Sequence, residues 1–387
     1  MGIKDLLTVI KSECPDAIKV VSMKEYYGET LAVDMSIFIY KDLLAAGDNS
    51  EKEEACLIPE GGPWLDCLAH FLCKLKMFSI KAVCIFDGTE QPDLKTATQA
   101  DRVNTKKRAL EKLNRCQQIY EGLVTGKVNL TPKIQEECKK LIILRGRYTD
   151  FADVDSVKES LIVKIDKLKK STLGVTQKHL KVAKRLIRAF GFPAIEAVGE
   201  AESACAQLAI TGEAAGVLTE DTDVLAYGAN MVSFGTNLKI HQEKFRVINH
   251  QNLVDSMGMN DTIFKDFCIL LKCDYNMRKF DENKNSVPVK ILCRPEGKGK
   301  KPSPVGRVKA LKLIKEYENL DDMEDIIENF EDLKHNECRS LLSVTSEKII
   351  EIGACKDLNI REIEKLEEYG LTRQDHIQKI WKLVLIK

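Results

Sequence analysis

Seven carboxylates recur at comparable places along the chain: Asp34, Asp87, Glu200, Glu202, Asp221, Asp223 and Asp274. Two of them stand two apart in "TEDTDVL" and two more in "GEAESA". Residues i and i+2 project to one side of an extended chain. In a regular helix they diverge by about 200°. Each pair can therefore converge only at the boundary of an element. Carboxylates brought together raise one another's pKa unless a cation compensates them. Oxygen donors without histidine or cysteine suit hard divalent ions such as Mg²⁺ or Mn²⁺. Two such ions about 3.5–4 Å apart can activate water and stabilise both oxygens of an in-line phosphoryl displacement. Taken singly, each acid also reads as a turn former or a helix N-cap. The weight lies in the repetition of position.

That position is the end of an apolar run. "TLAVDMS" (30–36), "IKAVCIFDG" (80–88) and "GVLTED" (216–221) each run apolar up to an acid, as buried strands of a mostly parallel sheet do. Parallel strands share a carboxyl edge, and ligands of such sheets bind there. Asp34, Asp87, Asp221 and Asp223 are placed on that edge. Glu200 and Glu202 open an Ala-rich helix (199–212), and Asp274 closes an apolar one (262–273). Helical patterns at 62–78 and 177–191, the latter ending at Gly191, fill the gaps. The alternation predicts an α/β fold with a mostly parallel central sheet flanked by helices. Residues 93–172 break the rhythm with lysine-rich helical runs at 102–118, 133–143 and 155–170. They carry little apolar material for a core of their own and read as a helical insertion. Residues 276–304 form a second, irregular insertion. Helix resumes at 305–317, and the tail to 387 reads as helical.

Composition narrows the setting. The 59 basic and 59 acidic residues of the 387 cancel, which counts against a uniformly basic nucleic-acid binder. The charges are segregated, however. Residues 95–121 hold seven basic against three acidic residues, 177–188 five against none, and 290–315 nine against one. The 13 cysteines are scattered without a C-x-x-C pair, as expected of reduced thiols inside the cell. Six dispersed histidines do not suggest a His-built metal site. No apolar run reaches the roughly 20 residues of a membrane span. The amphipathic, acid-bearing start does not read as a signal peptide, and Leu6 stands where a myristoylation signal needs Ser or Thr.

Taken together, "MGIKDLL", "AVDMSIFIY", "CIFDG", "GEAESACAQL", "TEDTDVLAYG" and "FCILLKCDY" resemble, in order and spacing, the motifs of the XPG/Rad2-like structure-specific 5′ nucleases. Among these the flap endonucleases are most similar. The resemblance spans residues 1 to about 330 and implies a PIN-like nuclease fold. It implies that the seven acids hold two Mg²⁺ ions, for which Mn²⁺ substitutes. It further implies that Lys95 and Arg102 face the scissile phosphate. Seven residues apart, they lie on one helix face. Tyr40 would stack on a base beside the cut, and Gly2 would let the N-terminus lie near the site. Residues 1–92 and 173–275 then form the two parts of the nuclease core, and 93–172 a helical arch for single-stranded 5′ flaps. Residues 276–330 become a helix–two-turn–helix-like element that binds duplex DNA through Gly306 and Lys309, with 331–387 a helical extension. The implied activity is cleavage of flapped or branched DNA by a monomer inside the cell, nuclear in a cellular setting and cytoplasmic in a viral one. The alternatives are an exonuclease or junction-cleaving relative, and an inactive DNA-structure binder.

The sequence departs from the family in three places. The arch is longer than the resemblance implies, within 119–172. An insertion separates Asp274 from "SPVGRVKALKLI", and Arg307 stands where the family has proline, which leaves K⁺ binding at this turn open. The last residues, "QDHIQKIWKLVLIK", lack the paired aromatics of a sliding-clamp peptide, so clamp binding through that motif is not expected.

Overall fold

Alternate residues of the apolar runs face opposite sides. Leu31 and Val33 enter one core and Ala32 another; Cys84 and Phe86 part in the same way from Val83 and Ile85. This period of two is that of a strand buried on both faces. The structure is a computed structural model that describes residues 2–46, 62–142, 150–234, 242–294, 301–344 and 352–365. The carboxyl-terminal peptide and most of "KGKK" (298–301) lie outside the described residues.

The main sheet contains β1 (Ile18–Ser22), β2 (Thr30–Asp34), β3 (Lys81–Phe86), β4 (Ala194–Glu196), β5 (Gly216–Leu218), β6 (Met231–Ser233) and β7 (Lys244–Ile248). Their spatial order is β1-β7-β6-β5-β2-β3-β4. Neighbours from β6 across to β4 are parallel, while β7 pairs antiparallel with both β6 and β1. The chain lays β3 and β4 outward on one side of β2, then returns to place β5 and β6 on the other. The order reverses between β2 and β5, and such a switch point opens a crevice at the carboxyl edge.

Helices cover both faces. One core joins Ala32, Val83, Ile85 and Val217 to α1 (Leu6–Glu13) and to helices that follow later in the chain. The other joins Leu31, Val33, Phe86 and Leu218 to α2 (Met35–Ala46) and α3 (Pro63–Met77). Burying each large side chain contributes about 1.5–3 kcal/mol, so the strands are held from both sides.

The charged insertion contains α4 (Thr96–Val124), α5 (Pro132–Leu141) and α6 (Val154–Thr172). Residues 99–174 make a compact unit apart from the rest. Here the structure corrects the sequence reading, because the insertion has its own core. Leu113, Cys116, Ile119 and Leu123 of α4 pack with Cys138 of α5 and with Val157, Leu161, Ile165 and Leu168 of α6. The apolar residues recur every three or four positions, a stripe one residue wide that the surrounding lysines hide in any average over composition.

The larger unit also holds α7 (Gln177–Ala189), α8 (Ala201–Ile210), α9 (Asp223–Tyr227) and α10 (His250–Met257), of which α8 and α9 carry site acids. Helix α7 starts at Thr176, whose side chain accepts from the His179 amide, and ends before Gly191 at φ +77°. A β-carbon at Gly191 would lie 2.0 Å from the Lys356 carbonyl oxygen, so both conformation and space require glycine. Beyond α11 (Asp261–Leu271), the second insertion is more regular than expected. It holds the hairpin β8 (Arg278–Phe280) and β9 (Ser286–Pro288). After it, β10 (Leu292–Cys293) pairs with β11 (Ser303–Pro304) and β12 (Ile327–Glu328). Strands of two or three residues are too short for periodicity to reveal. The described part of the tail is also less helical than expected: α12 (Arg307–Tyr317), α13 (His335–Leu341) and α14 (Ile360–Lys365) are separated by turns and extended chain.

Candidate active site at the carboxyl edge of the sheet

Asp34 is the last residue of β2 and sits beside the switch point, 4% exposed. The Thr219 hydroxyl, just past β5, lies 3.4 Å from Asp34 Oδ2, and its oxygen accepts the Asp221 amide at 3.1 Å. One hydroxyl thus joins the ends of the two strands that flank the switch. Burial, reinforced by the charges of Asp87 and Asp221, pushes Asp34 up to about 7.

Asp87 follows β3 and is exposed. Its Oδ2 accepts from Ser36 Oγ at 2.7 Å, and its Oδ1 from the Ala201 amide at 3.0 Å. Ala201 is the first residue of α8, so Asp87 sits at the positive end of that helix. Glu200 is the N-cap of α8 and Glu202 lies in its first turn. Asp221 lies in the loop before α9, and Asp223 is the first residue of α9. Both i, i+2 pairs therefore occupy element boundaries, where such side chains can converge.

They do converge. Glu202, Asp221 and Asp223 each place an oxygen so that all three lie within 4.8 Å of one another. Burial raises all three acids. The charges of Asp221 and Asp223 add to the shift of Glu202, and Asp221 and Asp274 add to that of Asp223. The Asp223 amide donates to Asp221 Oδ1 at 3.1 Å and opposes the shift there. Among the described residues, Asp223 Oδ1 is buried without a hydrogen-bond partner. An orphaned carboxylate oxygen inside an all-oxygen, mutually repelling cluster fits a hard divalent cation.

Lys95, in the helical turn before α4, is the buried counter-charge. Its Nζ donates to Glu200 Oε1, lies 3.2 Å from Glu202 Oε1 and 3.5 Å from Asp274 Oδ2. Burial alone would lower the ammonium; the carboxylates of Glu202 and Glu200 outweigh it and raise the group. Asp274 is fixed from two directions. The Thr98 hydroxyl donates to its carbonyl at 2.9 Å. Asn276 accepts the Cys273 amide at 3.0 Å and donates to the Ile269 carbonyl at 2.9 Å, clamping the turn after α11.

Gly2, at φ +93°, abuts the cluster. A β-carbon there would lie 2.1 Å from Asp221 Oδ1 and 2.6 Å from Thr222 Oγ1. Tyr40 is half-buried on α2. Arg102 is exposed on α4, in the smaller unit. Gly306 caps α12 without a side-chain hydrogen bond, and Lys309 Nζ donates to Ser303 Oγ at 2.5 Å. Gly306 is extended rather than left-handed, with open space where a β-carbon would go. Glu220 is a fastener: it accepts the Phe234 amide at 3.1 Å and pairs with Lys41 at 3.4 Å.

Sequence reasoning missed Thr219, Ser36, Thr98 and Asn276. It also missed Tyr275, whose hydroxyl donates to Glu200 Oε2, and Tyr227, 2.6 Å beyond. The one available signal was adjacency: Thr219 and Tyr275 flank motif acids in sequence.

The site is an acid cluster at the switch point of a sheet covered by helices on both faces. The chain matches the XPG N-terminal domain over residues 1–109 and the XPG I-region over 191–274. The two matched regions are those of the XPG/Rad2-like family, and they stand in this chain in the same order as the motifs. Flap endonuclease 1 of Neurospora crassa is 31% identical over 279 residues, which cover 71% of this chain and 59% of that protein. Flap endonuclease 1 of Mycosarcoma maydis is 29% identical over 332 residues, 84% of this chain and 70% of that one. The chain thus spans less than two thirds of the Neurospora relative. In structure, the catalytic core of Rad2 in complex with a DNA substrate matches with a TM-score of 0.57 at 18% identity, covering 97% of this chain and 99% of that one. That likeness establishes the fold. Among the described residues, no helix is long and apolar enough to cross a membrane.

Proposed function

We propose that the protein is a structure-specific 5′ flap endonuclease that hydrolyses a DNA phosphodiester at a single-strand/duplex junction, with 5′-to-3′ exonuclease action as a secondary capacity. The observation that carries this reading is the convergence of Glu202, Asp221 and Asp223 around an unpartnered, buried Asp223 oxygen, with Lys95 alongside. The family relationship supports the choice of nucleic acid as substrate.

Glu200, Glu202, Asp221, Asp223 and Asp274, with Asp34 and Asp87, would hold two Mg²⁺ ions, or Mn²⁺ in their place. Bound there, the ions would polarise the phosphodiester and make water nucleophilic near neutral pH. The remaining work falls to the chain. Lys95 offers an ammonium to the charge that develops on the phosphate, in a buried site where such an interaction is strong. Arg102 adds a second cation. Tyr40 stacks on a base, which contributes about 1–3 kcal/mol. The uncapped amides at the start of α12, with Gly306 and Lys309 beside them, suit a duplex phosphate. Such contacts position DNA without reading its sequence, so selectivity is for shape. The lysine-rich helices of the 99–174 unit suit a single strand. Whether the α12 turn takes K⁺ is decided by comparing duplex affinity in K⁺ and in Na⁺. We place the action of a monomer wherever intracellular DNA is replicated or repaired, nuclear in a cellular host and cytoplasmic in a viral setting.

The test uses labelled double-flap, nicked and four-way-junction DNA with Mg²⁺ or with EDTA. Release of the intact flap, in Mg²⁺ alone, is the expected result. Stepwise release of mononucleotides would make the protein an exonuclease, and preferred cutting of the four-way junction a resolvase. Tight binding without cleavage of any substrate would reduce it to a DNA-structure binder and sink the proposal.

A further inference from the structure

Both oxygens of Glu200 are engaged by side chains. Oε1 accepts from Lys95 and Oε2 from the Tyr275 hydroxyl. The Tyr275 hydroxyl lies 2.6 Å from that of Tyr227. A carboxylate can only accept, so the single proton of Tyr275 points at Glu200. Tyr227 must then donate to the Tyr275 oxygen, and the direction of the whole chain is fixed. Tyr227 is 5% exposed and Tyr275 3%, so both side chains are buried.

The two rings also link the parts that carry the acids. Tyr227 is the last residue of α9, whose first is Asp223. Tyr275 follows Asp274 directly. Through them, α9 and the turn after α11 both reach the N-terminus of α8. A cavity of about 320 Å³, lined in part by Glu90, Gln91 and Ser203, borders Glu200 and both rings. Close packing normally holds a buried side chain in one rotamer. Where a cavity borders Glu200, hydrogen bonds must supply that restraint.

We propose that Tyr275, oriented by Tyr227, is a positioning residue: it holds Glu200 in the rotamer that presents Oε1 to Lys95. It thereby sets the place of one cation ligand and of the ammonium that faces the substrate. The inference rests on the nuclease reading above, but its physical content, the hold on Glu200, can be measured without DNA.

The experiment compares the full-length protein with Tyr275→Phe, Tyr227→Phe and the double variant. Mn²⁺ affinity is read from the electron paramagnetic resonance of the free ion, without DNA. The kcat and KM are read on a double-flap substrate, and thermal unfolding on each protein alone. Loss of a group that orients a metal ligand weakens binding or activity about 10–100-fold. Tyr275→Phe should therefore weaken Mn²⁺ about 10-fold and lower kcat by a similar factor, leaving KM in place. Tyr227→Phe should do the same to a smaller extent. The double variant should match Tyr275→Phe, because Tyr227 acts only through Tyr275. It should also recover thermal stability, since no buried hydroxyl is left unpaired. Recovery of Mn²⁺ affinity and kcat along with stability would make the pair merely structural and overturn the proposal. Wild-type values in Tyr275→Phe would do the same. If the wild type cleaves nothing but Tyr275→Phe still weakens Mn²⁺, the nuclease reading falls and the hold on Glu200 stands.

Discussion

Asp223 Oδ1 is the atom whose surroundings say most about the site, because it is buried among like charges and no described residue donates to it. Asp223→Asn should therefore act in two directions. The metal-free variant should melt higher than the wild type, since one repelling charge is gone. The wild type should gain about 2.7 kcal/mol at a Mg²⁺ concentration 100 times its Kd, and the variant much less. Differential scanning calorimetry with and without Mg²⁺ reads both effects, and an equal Mg²⁺ gain in the two proteins would remove Asp223 from the ligand set. Lys95→Ala should cost about 100-fold in kcat, the scale for losing one group aimed at developing charge. A rise in KM alone would reassign Lys95 to substrate capture. Gly2→Ala should weaken Mn²⁺ binding with little change in melting temperature, because the added carbon meets Asp221 rather than the core. Binding as tight as in the wild type would show that the N-terminal segment yields freely.

At the scale of elements, the site depends on α11, which leads into the turn at Asp274, and α11 is held by charges far apart in sequence. Asp266 of α11 is fully buried. Arg339 of α13 donates to both its oxygens, at 2.6 and 2.5 Å, and the Leu320 amide donates at 3.0 Å. Arg339 also reaches Asp321, at 2.8 Å, as does His335 at 2.7 Å. Arg339→Gln would strand a buried carboxylate, which costs about 3–5 kcal/mol. Partial burial pushes the Asp321 carboxyl up, but the hydrogen bonds from Arg339 and His335 outweigh it and hold the group below its ordinary value. A carboxylate lowered in this way stabilises the fold fully above its unfolded pKa and stops doing so as pH falls through the lowered value. The stability gap between wild type and Arg339→Gln should thus narrow below about pH 4, as urea unfolding at pH 7 and pH 3.5 would measure. A gap independent of pH would mean that Arg339 acts by packing alone. This clamp was illegible in the sequence, because nothing local couples residues 73 apart. The strand-end acids were legible, because an apolar run that stops at an acid is a local pattern with one structural meaning when repeated. The hydroxyls of Thr219 and Tyr275 fall between: they stand beside the acids, but only the fold decides where an adjacent side chain points. The core of the 99–174 unit was missed for another reason. Its apolar stripe is narrow, and average composition does not resolve phase.

For the whole molecule, zero net charge conceals basic segments balanced by acidic ones. If those basic segments meet phosphates, the observed DNA affinity should fall steeply with salt, with a log–log slope of about −0.9 for each duplex phosphate contacted. A slope near zero in a fluorescence anisotropy titration would mean that charge does not drive binding. The separate core of the 99–174 unit also predicts separable stability. Leu161→Ala should cost about 2–5 kcal/mol within that unit, and hydrogen exchange should speed there while the sheet amides keep their protection. The sheet has a further consequence. Val33 pairs with Leu218 and Asp34 with Ile85, so three acid-bearing strand ends issue from adjacent parallel strands in fixed register. Parallel strands lie about 4.8 Å apart in every protein, a spacing set by the peptide hydrogen bond rather than by side chains. The backbone therefore acts as a gauge block for the distances between the acids. Surface segments can lengthen or change charge without disturbing it, whereas exchanging Asp34 for glutamate would add one methylene and overrun it.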